Sequence, residues 1–158
     1  MIRRRARIAA RAHPRMDLAM PASDWIIRPY RGPADLRAMQ AIVSAAFAHT
    51  DMHIGDVAWN IRASTHRQLG LDIHLWEAGD RLLAWSYFHW TGNLMLFADP
   101  DFVTDLLIDD MLATVEGLAR DMLAAGDPLS ALSTYGLLPG RSALDQALIA
   151  GLERHGYT

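Results

Sequence analysis

Ile73-His74-Leu75-Trp76-Glu77-Ala78-Gly79-Asp80-Arg81-Leu82-Leu83-Ala84-Trp85-Ser86-Tyr87-Phe88-His89-Trp90-Thr91-Gly92-Asn93-Leu94-Met95-Leu96-Phe97-Ala98 is the stretch from which the architecture can be read. Ile73 to Glu77 has the β-branched and aromatic content of a strand, and Ala78-Gly79-Asp80 is a turn. Arg81 to Trp90 is a longer, aromatic-rich strand. Thr91-Gly92-Asn93 turns the chain again into Leu94 to Ala98. Three consecutive strands joined by tight turns make an antiparallel meander.

On the N-terminal side the pattern is helical. Gly32-Pro33-Ala34-Asp35 supplies a first-turn proline, and Leu36, Met39, Ile42, Val43, Ala46 and Phe47 then share one helical face. His49 to Gly55 reads as a loop. Asp56 is suited to cap a second helix through Val57, Ala58, Ile61 and Leu69, with Gly70 as its stop. Before these helices, Trp25 to Arg31 reads as a short strand whose Pro29 places it at a sheet edge.

On the C-terminal side, Asp99-Pro100-Asp101 breaks the sheet. Leu107, Met111, Val115, Leu118 and Met122 recur at helical spacing up to Gly126-Asp127-Pro128. Leu129 to Leu137 reads as a further strand. Ser142 and Asp145 have capping-box spacing ahead of a last helix through Leu144, Leu148, Ile149 and Leu152. The order strand, helix, helix, three strands, helix, strand, helix predicts an α/β domain: a central mixed sheet with helices on both faces.

Composition sets the outer limits. The chain has 158 residues, 51% of them hydrophobic and 21% charged, which suits a folded domain rather than disorder. It has no cysteine, which removes disulfides, thiolate zinc sites and thiol nucleophiles. No apolar run approaches the ~20 residues of a membrane-spanning helix, so no membrane partner is expected, and a cytoplasmic setting is. Six of the fifteen arginines lie at or before Arg15, leaving nine against eighteen acids in the rest of the chain. A body so acidic lacks the basic stripe a nucleic-acid surface needs. The division expected is an Arg-rich tail over 1–22, disordered or upstream of the true start at Met16 or Met20, and a domain over 23–158. The tail lacks the ~7–15-residue apolar segment of a secretory signal.

Few residues offer chemistry. His49 and His53 stand four apart, as zinc ligands do on a helix, but the segment reads as loop and the metalloprotease glutamate is replaced by Thr50, so no metal is expected. His74 and His89 lie on neighbouring strands with Glu77 close by, which allows a general base facing the meander, or hydrogen-bonded core histidines. Trp76, Trp85, Tyr87, Phe88 and Trp90 allow an acceptor pocket, a core, or a contact with a partner domain.

Ile27-Arg28-Pro29-Tyr30 followed by Asp35-Leu36, and Leu152-Glu153-Arg154-His155-Gly156-Tyr157 at the far end, are similar to the first strand and helix and to the closing helix of the GNAT superfamily of N-acetyltransferases. The resemblance covers residues 25–158. It implies acetyl-CoA as substrate, transfer of the acetyl group to the amine of a small molecule or peptide, and direct attack of that amine on the thioester after a base has taken its proton. It places the cofactor arm along the fourth strand at Leu96, Phe97 and Ala98, and the pyrophosphate at the next helix, at Val103, Thr104 and Asp105. It offers Glu77, His89 and Tyr135 as catalytic candidates.

The sequence departs from the family pattern in three places. Asp101 to Leu106 contains neither the glycines nor the basic residue of the pyrophosphate turn. Leu152 stands where a tyrosine commonly protonates the departing thiolate. The chain also stops at Thr158, where the family fold usually continues into two more strands. Together these resemble the degenerate N-terminal half of a tandem member. The alternative to an active transferase is then a non-catalytic domain that packs on an active second GNAT domain or forms a homodimer.

Overall fold

The computed structural model describes residues 24–46, 52–63, 72–89, 92–127, 129, 131–134 and 136–158. The expected tail over 1–22, Gly70 as a helix stop, His49 and Tyr135 lie outside the described residues. Five strands form one sheet in the order β1-β2-β3-β4-β5: β1 (Ile26–Pro29), β2 (Ile73–Ala78), β3 (Arg81–Phe88), β4 (Asn93–Ala98) and β5 (Ser133–Thr134). The first four pair antiparallel and β5 joins β4 in parallel, so the sheet is mixed, as the element order predicts.

Helices α1 (Pro33–Ala45) and α2 (Ile54–Ala63) cover one face. Helices α3 (Asp105–Ala124) and α4 (Ala143–Arg154) cover the other. Each face has its own core. Met39, Ile42 and Val43 of α1 meet Leu75, Trp85, Tyr87 and Phe97, with Trp85 and Phe97 stacked at 4.7 Å between centroids. Ile108, Met111, Leu112 and Val115 of α3 meet Trp76, Phe88, Leu94 and Leu96 on the opposite face. Helix α4 crosses α3 at Gly151, where a Cβ would stand 2.6 Å from Ile108 Cγ2, so only glycine allows this approach.

The alternation of faces breaks once. Glu77 pairs with Leu82 while Trp76 pairs with Ala84, leaving Leu83 as the extra residue of a β-bulge. Leu83 and Ala84 consequently both join the α3-side core, and the run Leu82-Leu83-Ala84-Trp85 is buried throughout.

Leu129 to Leu137 departs from expectation. Among its described residues, Ser133 and Thr134 alone form a strand. They pair with β4 at Asn93 and Leu94. At α4, Ser142 is the N-cap as expected, its Oγ accepting the Asp145 N–H at 3.0 Å. The Asp145 carboxylate bonds to Arg141 at 2.5 Å rather than closing a reciprocal box.

An ion network and a shared carboxylate tie elements together. Arg28 of β1 forks between Asp35 of α1 (2.7 and 2.8 Å) and Glu77 of β2 (2.5 and 2.7 Å). Asp110 of α3 accepts both the Trp25 and Trp76 indole N–H groups, at 2.7 and 2.9 Å.

His74 and Ser86 are cross-strand partners, and His74 Nδ1 and Ser86 Oγ are both buried without a hydrogen-bond partner. Burial pushes the His74 pKa below the usual imidazole value. A depressed imidazole pKa means the unfolded chain binds the proton more readily. The neutral-His74 contribution is therefore complete above about pH 6.5–7 and is lost as pH falls through and below the unfolded value. The melting temperature of the wild type is expected to fall from pH 7.5 to pH 5 more steeply than that of His74→Leu. Parallel curves would show that His74 is not the linked group.

Candidate functional site

Strand β4 presents an open edge. His89 N–H donates to Asn93 O at 2.8 Å and Asp99 N–H donates to Leu83 O at 2.7 Å, which fixes the phase of the β3–β4 ladder. Main-chain groups of Asn93, Met95 and Phe97 therefore point to β3, and those of Leu94, Leu96 and Ala98 point the other way. Thr134 Oγ1 donates to Leu94 O at 3.1 Å and occupies the first of these positions. Beyond Leu94, no strand among the described residues pairs with β4. The backbone of Leu96 faces a gap.

That gap is a cavity of about 700 Å³. Leu94, Leu96, Thr134 and Leu137 line it where β4 and β5 part, and the first turn of α4 from Ser142 to Gln146 closes one side. On the other face of the sheet its wall is Met95, Phe97, Ala46 and Met52, with Asp56, Trp59 and Asn60 of α2 at the mouth. Arg141 closes the floor of the β5–α4 loop. It bonds to Asp145 and to the Gly136 carbonyl, and Asp145 also accepts the Leu138 N–H at 3.5 Å. The Asp145 charge is thus matched by Arg141 within the loop.

The start of α3 is built differently. Thr104 is the N-cap, its Oγ1 accepting the Leu107 N–H at 3.2 Å. Asp105 is exposed and 3.5 Å from Arg154. In the preceding turn Asp99 bonds to Arg81 at 2.7 Å and accepts the Asp101 N–H at 3.1 Å, while the Arg81 guanidinium lies 4.0 Å over the Phe102 ring. Acidic side chains at a helix start complement its dipole, and here they surround the position at which an anion would sit.

Of the residues expected to hold a cofactor, Leu96 and Phe97 line the cavity. Ala98 is buried in the α3-side core. Val103, Thr104 and Asp105 stand at the head of α3, outside the cavity lining. Of the catalytic candidates, Glu77 is bonded to Arg28 on the α1 side of the sheet. His89 directly follows β3, its ring edge-on to Tyr87 at 6.2 Å between centroids. The structure brings neither to the cavity wall. Asp56, Trp59, Asn60 and Arg141 line it; sequence singled out Asp56 only as a helix cap, and the helix begins two residues earlier at Ile54, with Asp56 in its first turn. The signal for three of them was the i, i+3, i+4 spacing of Asp56, Trp59 and Asn60, which puts them on one face of a helix.

Among the described residues no group of three or more His, Asp or Glu is placed to hold a metal ion, and no helix is long and apolar enough to cross a membrane. No protein-family model matches the chain, and no curated protein does. Solved structures do. A GCN5-related N-acetyltransferase from Sphaerobacter thermophilus superposes with a TM-score of 0.62 at 18% identity over 85% of this chain. The superposition spans 44% of that protein, so this chain matches less than half its length. A possible acetyltransferase from Clostridium difficile 630 superposes over 86% of this chain and 92% of its own, at 10% identity and a TM-score of 0.47. The first superposition and the mixed sheet with helices on both faces agree: the described residues adopt the fold of the GCN5-related N-acetyltransferases.

Proposed function

We propose that the chain is an acetyltransferase-like domain whose β4–β5 cleft takes the pantetheine arm of acetyl-CoA. The single observation that carries this reading is the edge of β4 beyond Leu94, with which no strand among the described residues pairs and where Leu96 lines the cavity. An extended amide-bearing arm fits such an edge as an added strand would, because it supplies alternating donors and acceptors. Acetyl-CoA, when bound, supplies an acyl thioester for transfer to an amine. Leu96 would hold its arm, and Leu94, Leu137 and Leu144 would shield it from water.

The fit is good at the arm and poor at the pyrophosphate. Val103 and Thr104 occupy positions at which a glycine turn would let backbone N–H groups approach phosphate, and Asp101 and Asp105 add negative charge there. This observation favours a second reading: a degenerate first domain that keeps the cleft and leaves tight cofactor binding to another domain or copy.

Thermal unfolding with added ligand separates the two. A ligand selective for the folded state stabilises by about 2.7 kcal/mol at a hundredfold excess over Kd. Acetyl-CoA and pantetheine fragments are expected to raise the melting temperature alike, since the arm carries the contact and the nucleotide adds little. A shift with neither at millimolar concentration would leave the cleft without this ligand. A shift far larger with the intact cofactor would show that the acidic turn does accept the pyrophosphate.

A further inference from the structure

The mouth of the cavity has a chemistry of its own. Trp59 is 70% exposed, more than any other large hydrophobic side chain described, yet it lines an apolar cavity. One turn before it stands Asp56, whose carboxylate accepts the His53 N–H at 2.8 Å and is paired with no cationic side chain among the described residues. Asn60 stands beside them, with Nδ2 3.8 Å from Met95 Sδ. An aromatic face, a carboxylate and an amide on one helical face form a receptor for an ammonium group, since the ring quadrupole and the carboxylate attract the same charge. Below them Met52, Met95 and Phe97 give an apolar passage down to Leu96. Leu96 is 5% exposed, so the cation site lies at the solvent end of the cavity and the β4 edge at its inner end.

We infer that the acceptor is an elongated aliphatic amine with a second, distal cationic group, which Asp56 and Trp59 hold at the mouth while the first amine reaches the β4 edge. The inference deepens the acetyltransferase reading and rests on it for the fate of the first amine. The methylene chain lies against Met52 and Met95, which loses little by desolvation, and each cationic end meets either Asp56 or the reacting position. A carboxylate or phosphate at the distal end would be repelled by Asp56.

Binding is measured without acyl donor, by calorimetry of the whole chain with an α,ω-diaminoalkane, the monoamine of equal length and the corresponding ω-amino acid. The diamine is expected to bind about fivefold more tightly than the monoamine, the size of one exposed ion pair plus one exposed cation–π contact, and the amino acid more weakly than either. Asp56→Asn and Trp59→Leu are each expected to reduce the preference for the diamine to about twofold, and the double variant to abolish it, while leaving the acetyl-CoA shift unchanged. Equal affinity of the wild type for diamine and monoamine, or an undiminished diamine preference in Asp56→Asn, would overturn the assignment. Loss of the acetyl-CoA shift with the diamine preference intact would refute the cofactor reading and leave the cation site standing.

Discussion

Replacing Gly92 with alanine is expected to lower stability by about 4 kcal/mol and to detach β5 from the sheet. Gly92 has a φ of +90°, where an L side chain is strained, and an added Cβ would lie 1.9 Å from the Ala131 carbonyl oxygen. That neighbour is backbone, so relief requires the segment before β5 to move. The movement would break the Ser133 N–H to Gly92 O bond of 2.9 Å and then the Ser133 Oγ to Asn93 Oδ1 bond of 2.7 Å. The Thr134 Oγ1 bond to Leu94 O and the packing of Leu129 and Leu132 on the core then remain to hold the segment. Hydrogen exchange of Gly92→Ala should show the Ser133 and Thr134 amides losing protection while those of β2 and β3 keep theirs, and urea unfolding should give the loss in stability. An unchanged unfolding midpoint would show that the β3–β4 turn tolerates a side chain beside β5.

Arg28→Ala is the second large effect, about 3 kcal/mol at neutral pH. Arg28 is almost wholly buried, with 11% of its side chain accessible, between Asp35 and Glu77. Its removal leaves two carboxylates on neighbouring elements without their shared cation. The hydrogen bonds from Arg28 hold the Asp35 carboxyl below its usual pKa, against an opposing desolvation, with a further contribution from the Arg31 N–H. The same carboxylates hold the Arg28 guanidinium more firmly protonated than usual. A depressed carboxyl pKa contributes stability that is complete above the unfolded value near 4 and is lost as pH falls through the lower, folded value. The difference between wild type and Arg28→Ala in urea unfolding is therefore expected to be largest at pH 7 and to shrink below pH 4. The triple change Arg28→Met, Asp35→Asn, Glu77→Gln should recover most of the loss. A constant difference from pH 7 to pH 3 would assign the effect to packing rather than charge.

The network also explains why Glu77 looked available. Sequence places a carboxylate near the end of an aromatic strand, and only pairing with β1 brings Arg28 to it. Asp145 differs: spacing assigns it to a capping box, and its carboxylate is held by Arg141 only four residues back, so position and partner are both local. At Glu77 the local signal for a polar group was correct about position and silent about the partner, because Arg28 lies on a strand that the fold brings alongside.

Periodicity and turn chemistry by themselves determined the meander, the helices before and after it, the edge position of β1 marked by Pro29, and the capping of α4 by Ser142, because each depends on residues a few positions apart. Composition alone determined the absence of thiol chemistry. Tertiary structure decided the Leu83 bulge, the parallel pairing of β5 with β4 and the cavity beside Leu96, since these depend on how strands of different sequence match in register. It also decided that Asp56 and Trp59 face the same space as Leu96. Helical spacing puts the first two together, but only the packing of α2 beside the open edge of β4 gives that face something to look into.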